Sequence, residues 1–168
     1  MVYRIFQAYL DDENSITIEL EKSFDAYSIH FTLEDKHSSS PLTIKKIENQ
    51  EHQIIYTLSA NDPIDLTESY TVYDQDRNHT ILQYRHIVQK PIFDELFSYQ
   101  GRDLGASYSP QATDFKLWAP ISEKVLLHLE EQIIPLQRQD RGVWHTQILG
   151  DLEGKAYYYI HKVNGKWV

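Results

Sequence analysis

The sequence predicts an all-β chain of two tandem β-sandwich domains, on three observations. Apolar and polar residues alternate with a period of two in most segments, the mark of half-buried strands. Clusters of Asp, Asn, Ser and Pro separate these segments. Composition also changes abruptly along the chain. The glycines (Gly101, Gly105, Gly142, Gly150, Gly154, Gly165) and the tryptophans (Trp118, Trp144, Trp167) all follow residue 100. This shift puts a boundary near Pro91 to Asp94 and gives domains 1–92 and 93–168. Charge divides there too, with 8 basic and 15 acidic residues before Asp94 and 8 and 10 from there on.

The first domain must turn without glycine. Residues Met1 to Phe6 read as an opening strand. Ile16, Ile18 and Leu20 alternate with Thr17 and Glu19; Ile29, Phe31 and Leu33 alternate with Ser28, His30 and Thr32. Ile54, Tyr56 and Leu58 repeat the pattern, and Tyr70 to Tyr73 is a further short run. Turns are expected at Asp11 to Asn14, Asp35 to Pro41, Asn61 to Pro63 and Asp74 to Asn78. No stretch has the apolar stripe of an amphipathic helix, although Ile92 to Tyr99 can hold one helical turn. Many short strands with frequent turns point to an immunoglobulin-like sandwich.

The second domain repeats the logic. Phe115 and Leu117 alternate with Asp114 and Lys116, and Val125, Leu127 and Leu129 with Leu126 and His128. Val143 to Leu149 and Ala156 to Val163 read as two more strands. Asn164-Gly165 is a type I′ hairpin signal, because both central residues of that turn need positive φ. The strand that follows, Trp167-Val168, has barely begun where the sequence stops, so a chain truncated at its C-terminal end is expected. Trp118, followed by Ala119-Pro120, ends a strand, since proline cannot donate to a ladder. Both Trp118 and Trp144 are expected in or near the core.

Composition narrows the function. The formal net charge is −9, and Lys45-Lys46 is an isolated basic pair, so neither nucleic acid nor an anionic membrane is an expected partner. There are no cysteines, which excludes disulfides and thiolate metal sites. The N-terminal residues lack the basic and apolar regions of a signal peptide, so a cytoplasmic location is expected. The histidines show no metal-binding spacing, and no Gly-x-Ser-x-Gly elbow or phosphate loop occurs. The acidic clusters Asp11-Asp12-Glu13 and Asp74-Gln75-Asp76 fall in turns rather than facing across a cleft. No catalytic residue, metal or cofactor is expected within these residues.

One ordered series of motifs is specific. It runs Phe93-Asp94-Glu95-Leu96-Phe97-Ser98-Tyr99-Gln100-Gly101-Arg102-Asp103-Leu104-Gly105-Ala106, then Thr113 to Pro120, Lys124 to Leu127 and Gly142-Val143-Trp144. It continues with Gly150 to Gly154, Tyr157-Tyr158-Tyr159 and Val163 to Trp167. The series resembles the family 48 carbohydrate-binding module of type I pullulanases, the α-glucan debranching enzymes of glycoside hydrolase family 13. Residues 1–92 resemble more loosely the small β domain that precedes that module. The resemblance implies a parent hydrolase acting on the α-1,6 branches of pullulan, starch or glycogen, with its catalytic barrel outside this chain and packing as its partner.

It also implies a sugar site. Modules of this class that bind glycogen use two tryptophan platforms with a lysine and an asparagine, the indole faces receiving the C–H face of the sugar. Trp167 matches one platform and Asn164 the asparagine, while the lysine position falls near Ile160 or Lys162. The second platform is absent, since that region reads Glu130-Glu131-Gln132-Ile133. The candidate carbohydrate-binding residues are therefore Trp167, Lys162 and Asn164, with weak α-glucan binding expected. The alternatives are a purely structural or interaction pair of domains without glycan binding, and a stand-alone adhesion-type pair.

Overall fold

In a computed structural model, residues 2–22 and 27–168 are described. The chain is all-β in character and divides into two compact units, Met1–Phe93 and Asp94–Val168.

In the first unit the strands are β1 (Phe6–Asp12), β2 (Ser15–Glu21), β3 (Phe31–Glu34), β4 (Ser39–Asn49), β5 (Gln53–Ser59), β6 (Thr71–Asp74) and β7 (His79–Tyr84). Among the described residues they form a closed barrel in the order β1-β2-β5-β4-β3-β6-β7, where two facing sheets were expected. Two features close it. β7 returns to pair in parallel with β1, Ala8 opposite Leu82. β4 changes partner along its length, pairing with β3 through Leu42 and with β5 from Thr43 onward. A register shift between Ile44 and Lys46 bends it at that corner. The interior is filled by the inward residues of the predicted strands, among them Ile16, Ile18, Leu20, Ile54 and Leu58, all fully buried. Phe31 packs edge-on against both Phe6 and Tyr56.

Three local expectations change here. The opening strand starts at Phe6 rather than at the terminus. The partner strand β2 ends at Glu21, whose amide donates to Ile5, so earlier residues have no ladder to join; Met1 lies outside the described residues. The Asp35 turn is shorter than expected: its carboxylate accepts the amides of His37 and Ser38, both at 2.6 Å, and β4 begins at Ser39. In β3, the strand starts at Phe31, two residues after Ile29, which is 81% exposed.

One ion pair ties the N-terminal segment to the barrel. The Arg4 guanidinium donates to Asp74 at 3.0 Å and to Asp76 at 2.7 Å. Asp74 also accepts the amides of Asp76 and Asn78 and the Asn78 side chain. On the barrel surface, Arg85 forks onto Asp11 with two contacts of 2.7 Å and reaches Glu19 at 3.0 Å.

α1 (Pro91–Phe97) opens on proline, which suits a first helical position because its missing amide has no intrahelical partner to lose. It covers the helical turn expected between Ile92 and Tyr99. The second unit then builds two four-stranded sheets among the described residues. One has the order β11 (Gln132–Pro135), β10 (Lys124–Leu129), β14 (Tyr157–Val163), β15 (Lys166–Trp167). The other has β12 (Gln137–Arg138), β13 (Val143–Leu149), β9 (Ala112–Trp118), β8 (Gly105–Tyr108). Their inner faces share one core, with Phe115 and Trp144 from the second sheet meeting Val125, Leu127 and Leu129 from the first. This unit is the sandwich the alternation predicts.

The family-like motifs have identifiable structural work. In the Tyr99 to Ala106 stretch, the Tyr99 hydroxyl and the Lys116 ammonium both donate to Asp103. Lys116 first and Tyr99 second hold the Asp103 carboxyl down at about 2. The Tyr99 ring folds back over Gly101, where a Cβ would meet its outer end. Gly142 is the more constrained of the two: its φ is +72°, and a Cβ there would lie 2.5 Å from the Pro120 backbone. β9 ends at Trp118, before Ala119-Pro120, as expected.

Candidate carbohydrate-binding face

The sheet β11-β10-β14-β15 has one face in the core and one outside. Register assigns the side chains, since directly paired residues share a face. Val125, Leu127 and Leu129 point inward, and so do their partners on β14, His161, Tyr159 and Tyr157. The outer face therefore holds Lys124, Leu126 and His128 on β10 with Lys162, Ile160 and Tyr158 opposite them. Ile133 and Pro135 extend it through β11, where they pair with His128 and Leu126. Trp167 extends it through β15, directly opposite Lys162.

Two of the sequence-predicted site residues thus meet as cross-strand partners. Trp167 is 48% exposed, enough to offer a ring face to solvent. Lys162 lies 3.9 Å from Glu123, and the same carboxylate accepts the Gly165 amide at 2.8 Å. Glu123 thereby braces the hairpin that carries Trp167. Asn164 and Gly165 form the turn itself, with φ of 51° and 74°, the paired positive values that a type I′ turn requires. Asn164 stands at the turn, beyond the ladder that aligns the other two. Both candidate lysine positions, Ile160 and Lys162, lie on this same face, two residues apart along β14.

The absent second platform has a physical cause. Leu129 pairs with Gln132, so Glu130-Glu131 is a tight two-residue turn, with Glu130 at φ 52°. Such a connection leaves no loop in which an aromatic could stand out from the sheet. Glu130 instead reaches back to Lys155 at 3.6 Å and to the Ala156 amide at 3.3 Å.

The face also carries an arrangement that the sequence did not reveal. The rings of His128 and Tyr158 stack at a centroid distance of 4.6 Å and an interplanar angle of 15°. Their Nδ1 and phenol oxygen are hydrogen-bonded at 3.0 Å. Tyr157-Tyr158-Tyr159 announces three aromatics but not which of them faces out. Only the pairing with β10 decides that.

The other tryptophans do different work. Trp144 is buried, and its indole N–H donates to the Ala119 carbonyl at 3.0 Å. Trp118 departs from the expected near-core position, being 43% exposed, yet its N–H is held by the carbonyls of Phe97 at 2.8 Å and Arg141 at 3.2 Å. It thereby links the last residue of α1 to the turn at Arg141. Burial pushes the Tyr159 phenol on the inner side up to about 12. Among the described residues no group of three or more His, Asp or Glu is arranged to hold a metal. None of the helices described is long and apolar enough to cross a membrane.

Comparison with known proteins defines the class first. Residues 103–168 match the family model Carbohydrate-binding module 48 (Isoamylase N-terminal domain), so the sandwich and its outer face lie within a carbohydrate-binding module. Residues 6–89 match the Pullulanase N1-terminal domain model, and the chain belongs to the family of pullulanase N-terminal regions. It is 27% identical over 99% of its length to the pullulanase of Bacillus subtilis, and 30% identical over 86% of its length to pullulanase 1, chloroplastic, of Arabidopsis thaliana. It spans 24% and 16% of those two relatives. A crystal structure of pullulanase from Anoxybacillus sp. LM18-11 complexed with maltotriose superposes over 97% of this chain and 24% of that one, with a TM-score of 0.88 and 33% identity.

Proposed function

We propose that this chain is the non-catalytic N-terminal segment of a type I pullulanase whose whole protein hydrolyses the α-1,6 branches of pullulan, starch or glycogen. The catalytic barrel of that protein would lie outside these residues. Within the segment, residues 93–168 form an immunoglobulin-like module that binds α-glucan weakly and helps orient the barrel, and residues 1–92 form the domain preceding it. One observation carries the reading. Trp167 stands half-exposed beside Lys162 on the outer sheet face of the carbohydrate-binding module, on a hairpin braced by Glu123. Trp167 is the stacking platform, and Lys162 and Asn164 supply polar contacts to sugar hydroxyls. A cytoplasmic site of action belongs to the same proposal.

A second reading is favoured by the Glu130-Glu131 turn, which removes the usual second platform: the sandwich then serves only to pack on the barrel. Affinity electrophoresis of the chain in gels with and without glycogen separates the two. The glucan reading expects retardation of the wild type and its loss in Trp167→Ala. Equal mobility of the two proteins in both gels would sink the glucan reading and leave the packing role.

A further inference from the structure

We propose that Tyr158, held flat on His128, is a second stacking platform for α-glucan, standing in for the aromatic loop that the Glu130-Glu131 turn excludes. The inference rests on the glucan reading above and assigns a residue to it.

The geometry is that of a preformed surface. An exposed tyrosine normally samples several rotamers, and ordering it on a ligand costs conformational freedom. Here one ring face is already covered by the His128 imidazole, 15° from parallel, and the phenol oxygen is tied to Nδ1. The opposite face stays open, since Tyr158 keeps 57% of its surface exposed. A ring fixed in this way presents a flat π face to the C–H groups of a pyranose at little entropic cost.

Position supports the same occupant. Tyr158, Ile160 and Lys162 share the outer face of β14, and Trp167 lies opposite Lys162. Four residues of strand separate the Tyr158 row from the Trp167 row, about 13 Å along the sheet. That is several times the width of one sugar ring, so the two platforms require an oligosaccharide to be occupied together. Between them lie Leu126, Ile160 and Pro135, which carry no charge. At the Trp167 end the Lys162 ammonium faces Glu123. Lys124, opposite Lys162, adds a second cation at that end; the rows from there to Tyr158 carry no charge, and an uncharged glucan suits them.

Isothermal titration of the 168-residue chain with maltotriose and maltoheptaose tests the proposal, since only the longer sugar can reach both rows. The wild type should bind maltoheptaose more tightly than maltotriose. Tyr158→Ala should lower maltoheptaose affinity roughly ten-fold, the worth of one aromatic contact, and leave maltotriose binding at Trp167 unchanged. Tyr158→Phe keeps the ring and its stack on His128 but loses the bond to Nδ1, so its affinity should fall by clearly less than the alanine variant's. Wild-type affinity for maltoheptaose in a folded Tyr158→Ala chain would overturn the second platform while leaving the Trp167 reading standing. A loss in Tyr158→Phe as large as in Tyr158→Ala would also overturn it, by putting the whole effect in the hydroxyl and none in the ring face. A wild type that binds neither sugar removes the glucan reading and this proposal with it.

Discussion

Trp144 offers the sharpest test of the division between packing and binding aromatics. Its side chain is 6% exposed, surrounded by Phe115, Val125, Leu127 and Leu136, with its N–H bonded to the Ala119 carbonyl. Truncating a buried aromatic to alanine costs about 3–5 kcal/mol. At roughly 0.05–0.15 kcal/mol per residue, a unit the size of Asp94–Val168 holds about 4–11 kcal/mol, so this loss takes a third to all of its stability. Trp144→Ala should therefore strongly destabilise the sandwich. Trp144→Phe is the graded version. The Ala119 carbonyl still accepts the Ser122 amide at 3.1 Å, so no acceptor is orphaned. The lost hydrogen bond then costs about 1 kcal/mol, and the smaller ring's void on the order of another. For a unit of this length, about 2 kcal/mol lowers the midpoint by roughly 10 °C. Differential scanning calorimetry reads the shift, and glycogen retardation below both transitions reads binding. An unchanged midpoint with binding abolished would refute the reasoning, because Trp144 would then be a ligand contact and the inner and outer faces would be exchanged.

Two further outcomes concern the barrel. Arg4→Met leaves the Asp74 carboxylate, whose side chain is 0% exposed, without its cation, and breaking a buried pair from one side costs about 3–5 kcal/mol. A urea titration should show a markedly lower midpoint, and a midpoint within error of wild type would show that the pair does not hold the N-terminal segment. At Asp11, burial pushes the carboxyl up, but the Arg85 fork and the Thr17 hydroxyl outweigh it, and the net position is below 3.8. A group depressed by folding stabilises above its unfolded value, and that contribution is lost as pH falls through the folded value. The Tm advantage of wild type over Asp11→Asn should therefore be full at neutral pH and shrink below about pH 3.8; a gap independent of pH would show that charge pairing is not its source.

What the sequence displayed and what it hid follow one physical division. β2, β5, β9 and β10 were legible because each has one face in a core, so burial imposes the period of two directly on the residues. β4 was not, because most of its positions are exposed and it runs through Pro41 while changing partner. Closure of the barrel was hidden for a different reason. Pairing β1 with β7 joins Ala8 to Leu82, and no local pattern records a contact that far apart in the chain. A sandwich and a barrel made from the same alternating strands differ mainly in such contacts.

The aromatic residues carry the same argument to the candidate site. Leu117 pairs with Trp144, and Trp118 with Val143, so neighbouring ladder rungs send one indole into the core and the other to the surface. The sequence identified both as tryptophans near strand ends and could not separate them, because a slip of one residue exchanges the faces. Trp167 entered as a candidate through the family resemblance, with packing on the barrel as its alternative; in the structure the Asn164-Gly165 turn sets its register against Lys162 within a few residues. Tyr158 had no such local anchor: its face is set by β10, some thirty residues away at His128. Where a turn sets the register, the face of a nearby residue follows from a short stretch of chain. Where a distant strand sets it, alternation separates Tyr158 from Tyr157 and Tyr159, but which of the two sets faces the core is decided only when the sheet is assembled.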